Sequence, residues 1–459
     1  MLFIGIDLGA SFIKGAVLDL DALCLKHVHR IPFPQFITGI HPLHREVDPT
    51  KIVTAVRQLI EQLLPQAPNC AGIVMCGQMH GLVLANEHGE QLSNFVSWQD
   101  QRALMPHPSG KGTHFDVLVQ KVTQTERQQL GNELRPGLPL SVLFWMAEEK
   151  YLPNAGSIPA SLADFVVANL CGSPPTTEAT NAAAHGAFNL VSQEWDRTVL
   201  AKLGQDRLKW PALRYLGEVV GFLKAGSTSV PCYTPIGDQQ CALLGACLED
   251  GELSLNIATG SQVSMICPEL EFGNYQTRPF FDGKFIKTVT HIPAGRSLNA
   301  LINLLTELAR MQDREIPDSW AYIERCVANI HETDLNVNIS FFNGACGDHG
   351  QILNMREENM TVGHLFRAAF QCMANNYHIC ALRLSPEQSW TNLVFSGGLA
   401  QKLEVLREVI QNRFQVGYRL SVSKEDTLLG LLVLAQFCSK TTQSISQSAA
   451  IIRQKVTDN

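Results

Sequence analysis

Two short apolar runs around a turn open the chain, in residues 2–19. The first run ends at Asp7, the turn contains Gly9 and Ser11, and the second run carries Lys14. Runs of this length around a small-residue turn predict a β-hairpin with a carboxylate at its tip. The turn suits a phosphate group, because Gly9 permits close backbone approach and the Ser11 hydroxyl can donate to phosphate oxygens. An ordinary edge hairpin with a solvated aspartate is the alternative.

The second half of the chain repeats this pattern in residues 252–267, where apolar runs flank Thr259, Gly260 and Ser261. We expect a second strand, turn and strand here. One such hairpin in each half could face the other, so that the two would grip the phosphates of a nucleotide from both sides.

The rest of the chain mixes helical and strand-like spacing of apolar residues, which indicates an α/β fold. The spacing predicts helices at 52–64, 137–150, 361–384, 402–412 and 425–437, and buried strands at 71–76 and 392–395. A chain of 459 residues suggests about three domains or two large lobes. We place the lobes at residues 1–235 and 236–440, followed by a polar tail at 441–459 that we expect to be partly disordered.

A polar loop with Gln78, Met79 and His80 comes directly after the predicted strand at 71–76. Loops at the ends of strands are where α/β proteins bind ligands. This loop is therefore a candidate ligand contact.

A second polar segment places Trp98, Asp100 and Arg102 within five residues. An aromatic face beside a carboxylate and a guanidinium suits a sugar, which stacks its C–H face and directs its hydroxyls to polar groups. The alternative is a surface tryptophan next to a structural Asp/Arg pair. Asn181 and His185, in a later polar turn, could also reach a ligand or could simply satisfy the turn.

Two further segments place polar or flexible backbone where a helix begins. Asp238 follows a proline-bracketed approach and precedes the helical residues 241–247, and a helix dipole favours the ionised form of such a carboxylate. An ordinary N-cap aspartate is the alternative. Gly397 and Gly398 lie between a predicted strand and a helix, where flat backbone can support an adenine and amides can bind a phosphate.

Composition narrows the class of partner. A net charge of −7 and the absence of a basic stripe argue against nucleic acid. No basic region precedes the N-terminal apolar run, and the longest apolar segment, at 428–437, is too short to span a bilayer, so we expect a cytoplasmic protein that does not enter a membrane. Thirteen cysteines without a C-x-x-C spacing argue against a disulfide framework and a zinc site.

Six elements stand in a fixed order: the hairpin with Asp7, the 78–81 loop, the 98–102 turn, residues 237–238, the 259–260 turn and residues 397–398. Together they resemble the FGGY carbohydrate kinases, a branch of the actin-like ATPase folds, over essentially the whole chain. Residues 137–149 are also similar to a helical signature of that family, although Val142 stands where a lysine is usual. The loop at 347–349 departs from the family's Gly-Glu-Arg. The resemblance implies two actin-like (ribonuclease H-like) ATPase lobes with a catalytic cleft between them.

The resemblance also implies an enzyme that uses ATP and Mg²⁺ to phosphorylate the terminal primary hydroxyl of a ketose. Asp238 would be the general base, and Asp7 would hold Mg²⁺ through water with Asp238 nearby. The implied phosphate and adenosine contacts are Gly9, Ser11, Lys14, Thr259, Gly260, Ser261, Gly397 and Gly398. The implied sugar contacts are Gln78, Met79, His80, Trp98, Asp100, Arg102 and Asp238, of which Arg102 is the most easily explained as a structural partner of Asp100.

Residues 96–100, 164–172 and 181–189 are closer to the branch of this family that acts on sedoheptulose, which favours a seven-carbon ketose. A five-carbon ketose, xylulose or ribulose, is the first alternative. The second is a catalytically silent actin-like protein that binds sugar or nucleotide and regulates a partner, although such a protein need not keep Asp7 and Asp238 together. We expect a monomer or a homodimer whose partners are the ketose and ATP.

Overall fold

The computed structural model describes residues 1–153, 156–226, 228–314 and 318–457. Its α-helices are Pro49–Leu63, His114–Lys121, Gln124–Gln129, Pro139–Glu148, Leu162–Cys171, Ala179–Ala183, Arg197–Lys202, Asp238–Gly245, Gly295–Met311, Ser319–Ala328, Val362–Leu384, Gly398–Lys402, Glu404–Phe414, Asp426–Cys438 and Ile445–Thr457. The helices predicted from periodicity are confirmed, with ends that differ by a few residues. Among the described residues, no helix is long and apolar enough to cross a membrane.

The first sheet is built around the N-terminal hairpin, which is confirmed. Its strands are Leu2–Leu8, Phe12–Asp19, Cys24–Pro32, Ile73–Gly77, Val219–Ala225, Thr228–Tyr233 and Ile236–Gly237. The first strand is antiparallel to the second and parallel to Ile73–Gly77. Register places Asp7 beside Cys76, and Ile236 beside the same Cys76 from the other side. The carboxyl ends of three parallel strands therefore meet at one edge of the sheet.

The second sheet repeats this arrangement. Its strands are Glu252–Ile257, Ser261–Cys267, Gln276–Pro279, Phe285–Ile292, Asn392–Ser396 and Gly417–Leu420. The predicted hairpin of the first two strands is confirmed, and the strand Asn392–Ser396 runs parallel to its first strand. Both sheets thus place an antiparallel hairpin beside a parallel strand. Smaller strand pairs join Glu46–Val47 to Phe95–Val96, Val83–Ala85 to Ile158–Ala160, Thr176–Thr177 to Ala212–Leu213, Phe188–Asn189 to Glu194–Trp195, and Asn336–Asn338 to Gln351–Leu353.

The helix Asp426–Cys438 belongs by sequence to the second half but packs against the first sheet. Its apolar side chains share a buried cluster with Phe3 and Leu18, and nearly all of its positions are buried, which explains its continuous apolar run. It also packs closely on the helix Asp238–Gly245, because a Cβ on Gly430 would lie 2.0 Å from the Cys241 carbonyl oxygen. The division of the chain at residue 235 stays a prediction.

The C-terminal segment is more ordered than the sequence suggested. Ile445–Thr457 is a helix, and Ile445 and Ile452 are buried against the same apolar cluster. The Asp282 carboxylate accepts the backbone N–H groups of Ile445 and Ser446 at 3.2 and 2.7 Å, which caps the helix. The expectation of a partly disordered tail is therefore wrong for residues 445–457, because two isoleucines seven residues apart give the polar helix one apolar face.

Candidate active site

Two carboxylates come together at the carboxyl edge of the first sheet. Asp7 is the penultimate residue of its strand, and Asp238 directly follows the strand Ile236–Gly237 and begins a helix. The strand Ile73–Gly77 lies between these two strands and pairs with both of them. The fold therefore brings together two residues that are 231 positions apart in sequence.

Asp238 is partly exposed, so its carboxyl can be reached by a ligand. Burial raises its pKa to about 7, and the nearby negative charge of Asp7 adds to the rise. Backbone N–H groups of Gln239 and Met79 donate to the carboxylate, and these bonds and the charge of Arg278 oppose the rise. A carboxyl with a pKa near neutrality can take up a proton from a substrate and release it again.

Asp7 is buried and already partnered. Its Oδ2 accepts the Thr427 hydroxyl at 2.6 Å, and its Oδ1 lies 3.7 Å from Cys76 Sγ. Burial raises the pKa of Asp7 above its ordinary value, while the Thr427 bond and the charge of Lys14 lower it. Lys14 Nζ stands 3.9 Å from Asp7 Oδ2 but only 2.9 Å from Glu425 Oε2. The predicted phosphate contact Lys14 is thus held between two carboxylates at the edge of the hairpin.

This pair of carboxylates fits Mg²⁺. Magnesium prefers hard oxygen ligands and usually takes one or two carboxylates, several waters and substrate phosphates. A divalent cation would also offset the repulsion that raises the pKa of Asp238. Among the described residues no group of three or more histidine, cysteine, aspartate and glutamate side chains could hold a metal ion. The donor set therefore suits a cation shared with a phosphate ligand better than a closed protein cage.

The predicted loop with Gln78, Met79 and His80 lies beside the carboxylates. The Gln78 backbone N–H donates to the Leu8 carbonyl at 3.0 Å, which fixes the start of the loop. The Gln78 Nε2 atom is buried and has no hydrogen-bond partner among the described residues, as expected for a group that meets a ligand or a water. His80 adopts a left-handed conformation with φ of 69°.

A buried ion pair that sequence reasoning missed stands behind His80. Arg278 donates through Nε and Nη2 to both oxygens of Glu133, and Glu133 Oε2 lies 3.3 Å from His80 Nε2. The third guanidinium nitrogen donates to Gln239 Oε1. Gln239 Nε2 in turn donates to Ser264 and Thr288, so the residue that follows Asp238 is fixed by the second sheet. No motif signals Glu133 or Arg278, since 145 residues separate them.

The predicted sugar contact Trp98 stands at the rim of the same region. It is 37% exposed, and its ring meets the edge of the His291 ring at a centroid distance of 6.4 Å. Arg135 Nη1 bonds His291 Nδ1 at 2.9 Å, and Nη2 donates to Thr290 Oγ1 at 2.8 Å. An exposed indole face therefore stays available to a ligand, and Arg135 and His291 are additional rim residues.

Asp100 and Arg102 do not reach this region as sugar contacts. Both are buried, and the Arg102 guanidinium is bound to the Asp100 carboxylate and to Glu46. Asp100 Oδ2 also accepts the backbone N–H of Arg45 at 2.7 Å, and the Arg102 guanidinium carbon lies 5.2 Å from the centroid of the Trp145 ring. Their assignment as substrate contacts is corrected: they form the structural Asp/Arg pair that was the alternative.

Asn181 and His185 are structural as well. Asn181 Nδ2 donates to the Pro235 carbonyl at 3.2 Å, which supports the segment that leads to Asp238. His185 is buried between the rings of Trp195 and Trp210 and bonds the Asn181 carbonyl. Burial lowers the pKa of His185 to about 4.

The second hairpin and the Gly397–Gly398 turn share one cavity of about 580 Å³. Thr259 and Gly398 line it, together with Asn299, Trp320 and Lys402. Thr259 and Gly260 are exposed. The Ser261 hydroxyl is buried and bonds the Tyr377 hydroxyl at 2.8 Å, so it braces the turn against the long helix. The cavity is large enough for a nucleoside, and the residues that line it belong to the second half of the chain.

The comparisons with known proteins agree with this geometry. Residues 2–245 match the family model described as the N-terminal domain of the FGGY family of carbohydrate kinases. Sedoheptulokinase from Mus musculus is 24% identical in an alignment 470 residues long, gaps included, that covers 90% of this chain and 92% of that protein. Xylulose kinase from Bacillus subtilis (strain 168) is 26% identical over 270 residues, 57% of this chain and 52% of that protein.

Solved structures show the same fold. Gluconate kinase from Lactobacillus acidophilus superposes with a TM-score of 0.83 at 18% identity, over 99% of this chain and 96% of that one. Glycerol kinase from Plasmodium falciparum, determined with ADP, has a TM-score of 0.82 at 16% identity, over 98% and 92%. The predicted α/β class with two actin-like lobes is confirmed. The chain belongs to the FGGY family of carbohydrate kinases.

Proposed function

We propose that this carbohydrate kinase transfers the γ-phosphoryl group of ATP to the terminal primary hydroxyl of sedoheptulose, giving sedoheptulose 7-phosphate. The observation that carries the proposal is the meeting of Asp7 and Asp238 at one sheet edge. His80 and Trp98 belong to the first half of the chain, and the cavity with Thr259 is lined by residues of the second half. The mouse sedoheptulokinase aligns over nine-tenths of the chain, which supports the seven-carbon substrate.

Asp238 is the general base in this proposal. It accepts the proton of the sugar hydroxyl as the γ-phosphoryl group is transferred. Phosphoryl transfer has a loose transition state, so most of the acceleration comes from positioning and charge stabilisation. A carboxylate with an ordinary pKa would suffice, and the rise of the Asp238 pKa to about 7 leaves it half ionised at neutral pH.

The two hairpins would hold the phosphates from opposite sides. Gly9 and Ser11 offer backbone amides and a hydroxyl on the first side, and Thr259 and Gly260 do so on the second. Asp7 and Asp238 would hold Mg²⁺, which when bound neutralises charge on the β- and γ-phosphates. The remaining predicted contacts around the phosphates and adenosine are Lys14, Ser261, Gly397 and Gly398.

A pentulose kinase is the second candidate, because the Bacillus subtilis xylulose kinase also aligns with this chain. A silent regulator is disfavoured, since such a protein has no need to bring the buried Asp7 and the partly exposed Asp238 together at one sheet edge. A cytoplasmic location and a monomeric or homodimeric state stay predictions.

Substrate comparison tests the proposal. ADP release with Mg-ATP would be followed against sedoheptulose, xylulose, ribulose and glycerol. The highest kcat/KM is expected for sedoheptulose. A preference for xylulose or ribulose would move the substrate to a five-carbon ketose, and an absence of turnover with every sugar would overturn the kinase proposal.

A further inference from the structure

His80, Glu133 and Arg278 form a chain of contacts that runs from the sugar side of the site into the protein. His80 Nε2 lies 3.3 Å from Glu133 Oε2, and Arg278 Nη2 lies 3.1 Å from the same oxygen. The side chains of Glu133 and Arg278 are 1% and 3% exposed, whereas that of His80 keeps 17% of its surface. The ligand-facing member of the chain is therefore the histidine, and the ion pair lies behind it.

The partners of His80 decide which of its ring nitrogens carries the proton. Burial lowers the pKa of His80 to about 4; the bond to Glu133 opposes the decrease and the charge of Arg278 adds to it, so the ring is neutral at neutral pH. An ionised glutamate can only accept hydrogen bonds. The charge of Arg278 holds the pKa of Glu133 well below its ordinary value, so Glu133 stays ionised. Arg278 Nη2 lies 3.5 Å from His80 Nε2, but it already donates to Glu133 Oε2 at 3.1 Å. The carboxylate is the nearer partner of Nε2, at 3.3 Å, and it favours a proton on that nitrogen, which leaves Nδ1 as an acceptor.

We propose that Glu133, clamped by Arg278, is a positioning residue that fixes His80 with Nδ1 as the acceptor for one substrate hydroxyl. The inference rests on the proposed function, since it assigns a role within the same sugar site. His80 Nδ1 makes no hydrogen bond to any of the described residues, so it is free for a ligand. A histidine whose second nitrogen is held by a carboxylate has one orientation and one tautomer.

The contacts of the Glu133/Arg278 pair are more than stabilisation of the fold alone would require. A buried ion pair is often no more stabilising than apolar residues of the same volume. Here Arg278 also reaches Gln239, the neighbour of Asp238, and its Nη1 lies 3.9 Å from Met79 Sδ. One guanidinium thus connects the loop that would read the sugar with the helix that carries the base. The loop and the helix would therefore be fixed relative to each other before the substrate binds.

Glu133→Gln tests the role, because glutamine can turn its NH₂ group toward His80 and remove the preference for the Nε2 tautomer. One deoxy analogue of sedoheptulose lacks the hydroxyl that His80 contacts. The wild-type protein is expected to have a kcat/KM for sedoheptulose at least about tenfold higher than for that analogue, because the analogue leaves a buried acceptor unpaired. In Glu133→Gln this preference should fall toward unity. The loss should appear mainly in KM, and preferences at the other hydroxyls should persist. Equal losses for all analogues would overturn the proposal.

A matched control and a rescue variant guard against a folding defect. Glu271→Gln removes an exposed carboxylate that pairs with Lys287 at 3.1 Å, and it should keep the full preference. The double variant Glu133→Gln/Arg278→Met leaves no unpaired charge in the core, so it allows the same measurement if the single variant does not fold. A double variant with the wild-type preference would contradict the proposal.

The tautomer itself can be read without any turnover. Histidine ¹⁵N NMR of the whole protein, with His80→Gln to assign the signal, is expected to show the Nε2-protonated tautomer in the wild type. A mixture of tautomers is expected in Glu133→Gln. A wild-type ring protonated at Nδ1 would overturn the inference. If no sugar is phosphorylated, the proposed function fails, while this measurement still decides the arrangement of His80.

Discussion

The two hairpins of the molecule share a topology but differ in charge. Each is an antiparallel pair with a parallel strand beside its first strand. The penultimate residue of that first strand is Asp7 in one hairpin and Asn256 in the other. Asp7 faces Lys14 in the register, whereas Asn256 faces Gln262. The same backbone unit therefore presents a buried carboxylate on one side of the cleft and a neutral amide on the other.

This difference indicates a division of labour. The first sheet gathers the ionisable groups, since Asp238 also stands at its edge, and burial raises the pKa of both carboxylates. The second sheet offers exposed neutral turn residues, Thr259 and Gly260, beside a nucleoside-sized cavity. We interpret the edge of the first sheet as the place of proton transfer and metal binding. The second sheet would bind the nucleotide without taking part in either.

The largest expected effect comes from Asp238→Asn, which removes the base but keeps the shape. General-base assistance is typically worth about 10²–10⁴-fold in rate, so sugar phosphorylation should fall by that range. ATP binding, measured by calorimetry, should stay close to that of the wild type. Turnover within about tenfold of the wild type would show that Asp238 is not the base.

Exchanging the two penultimate residues tests the asymmetry directly. Asp7→Asn should weaken the apparent Mg²⁺ affinity by about 10–100-fold, because a group that orients the metal's waters is lost. Adding Asn256→Asp should not restore it, since the new carboxylate would stand on the second sheet and not at the edge of the first sheet where Asp7 meets Asp238. Asp19→Asn, which breaks an ion pair with Lys26 at the other end of the hairpin, is the control. Restoration by the exchange would contradict the division of labour.

Lowering the pH should impair proton transfer at the first sheet and leave the nucleotide contacts of the second sheet unchanged. Asp238 must be ionised to accept a proton, and its pKa is raised to about 7, so kcat/KM should fall as the pH drops below 7. The decrease should approach about tenfold per pH unit. Higher Mg²⁺ should move this limb to lower pH, because a bound cation stabilises the carboxylates. A rate that is flat between pH 5 and 8 would contradict a base in this environment.

The smallest effect is expected from a pair of glycines on the second side. Gly397 has φ of 84°, and a Cβ there would lie 2.5 Å from the Ile257 carbonyl oxygen at the end of the hairpin strand. Gly397→Ala should therefore destabilise the fold by roughly 1–3 kcal/mol, seen as a lower Tm. Gly398→Ala meets nothing within 4 Å and should keep the wild-type Tm, while raising the KM for ATP. Equal Tm values for both variants would be inconsistent with the close contact at Gly397.

The features that could be predicted from the sequence are those that depend on residues close together in the chain. Strand spacing and turn residues revealed both hairpins, and the proline-bracketed approach revealed the helix of Asp238. The ion pair of Glu133 and Arg278 left no such trace, because tertiary folding alone joins two residues 145 positions apart. Asp100 and Arg102 were misread as sugar contacts, since close spacing in sequence fits an internal pair as well as a binding site. Burial, which sequence does not show, decides between the two.

Phosphorus-31 NMR of sedoheptulose incubated with the wild-type protein and Mg-ATP tests the central claim most directly. We expect the γ-phosphate signal of ATP to be replaced by a phosphomonoester that couples to the protons of the terminal carbon. An unchanged ATP spectrum would contradict the claim. So would inorganic phosphate without a sugar ester, because it would mean that ATP is hydrolysed and no phosphoryl group reaches the sugar.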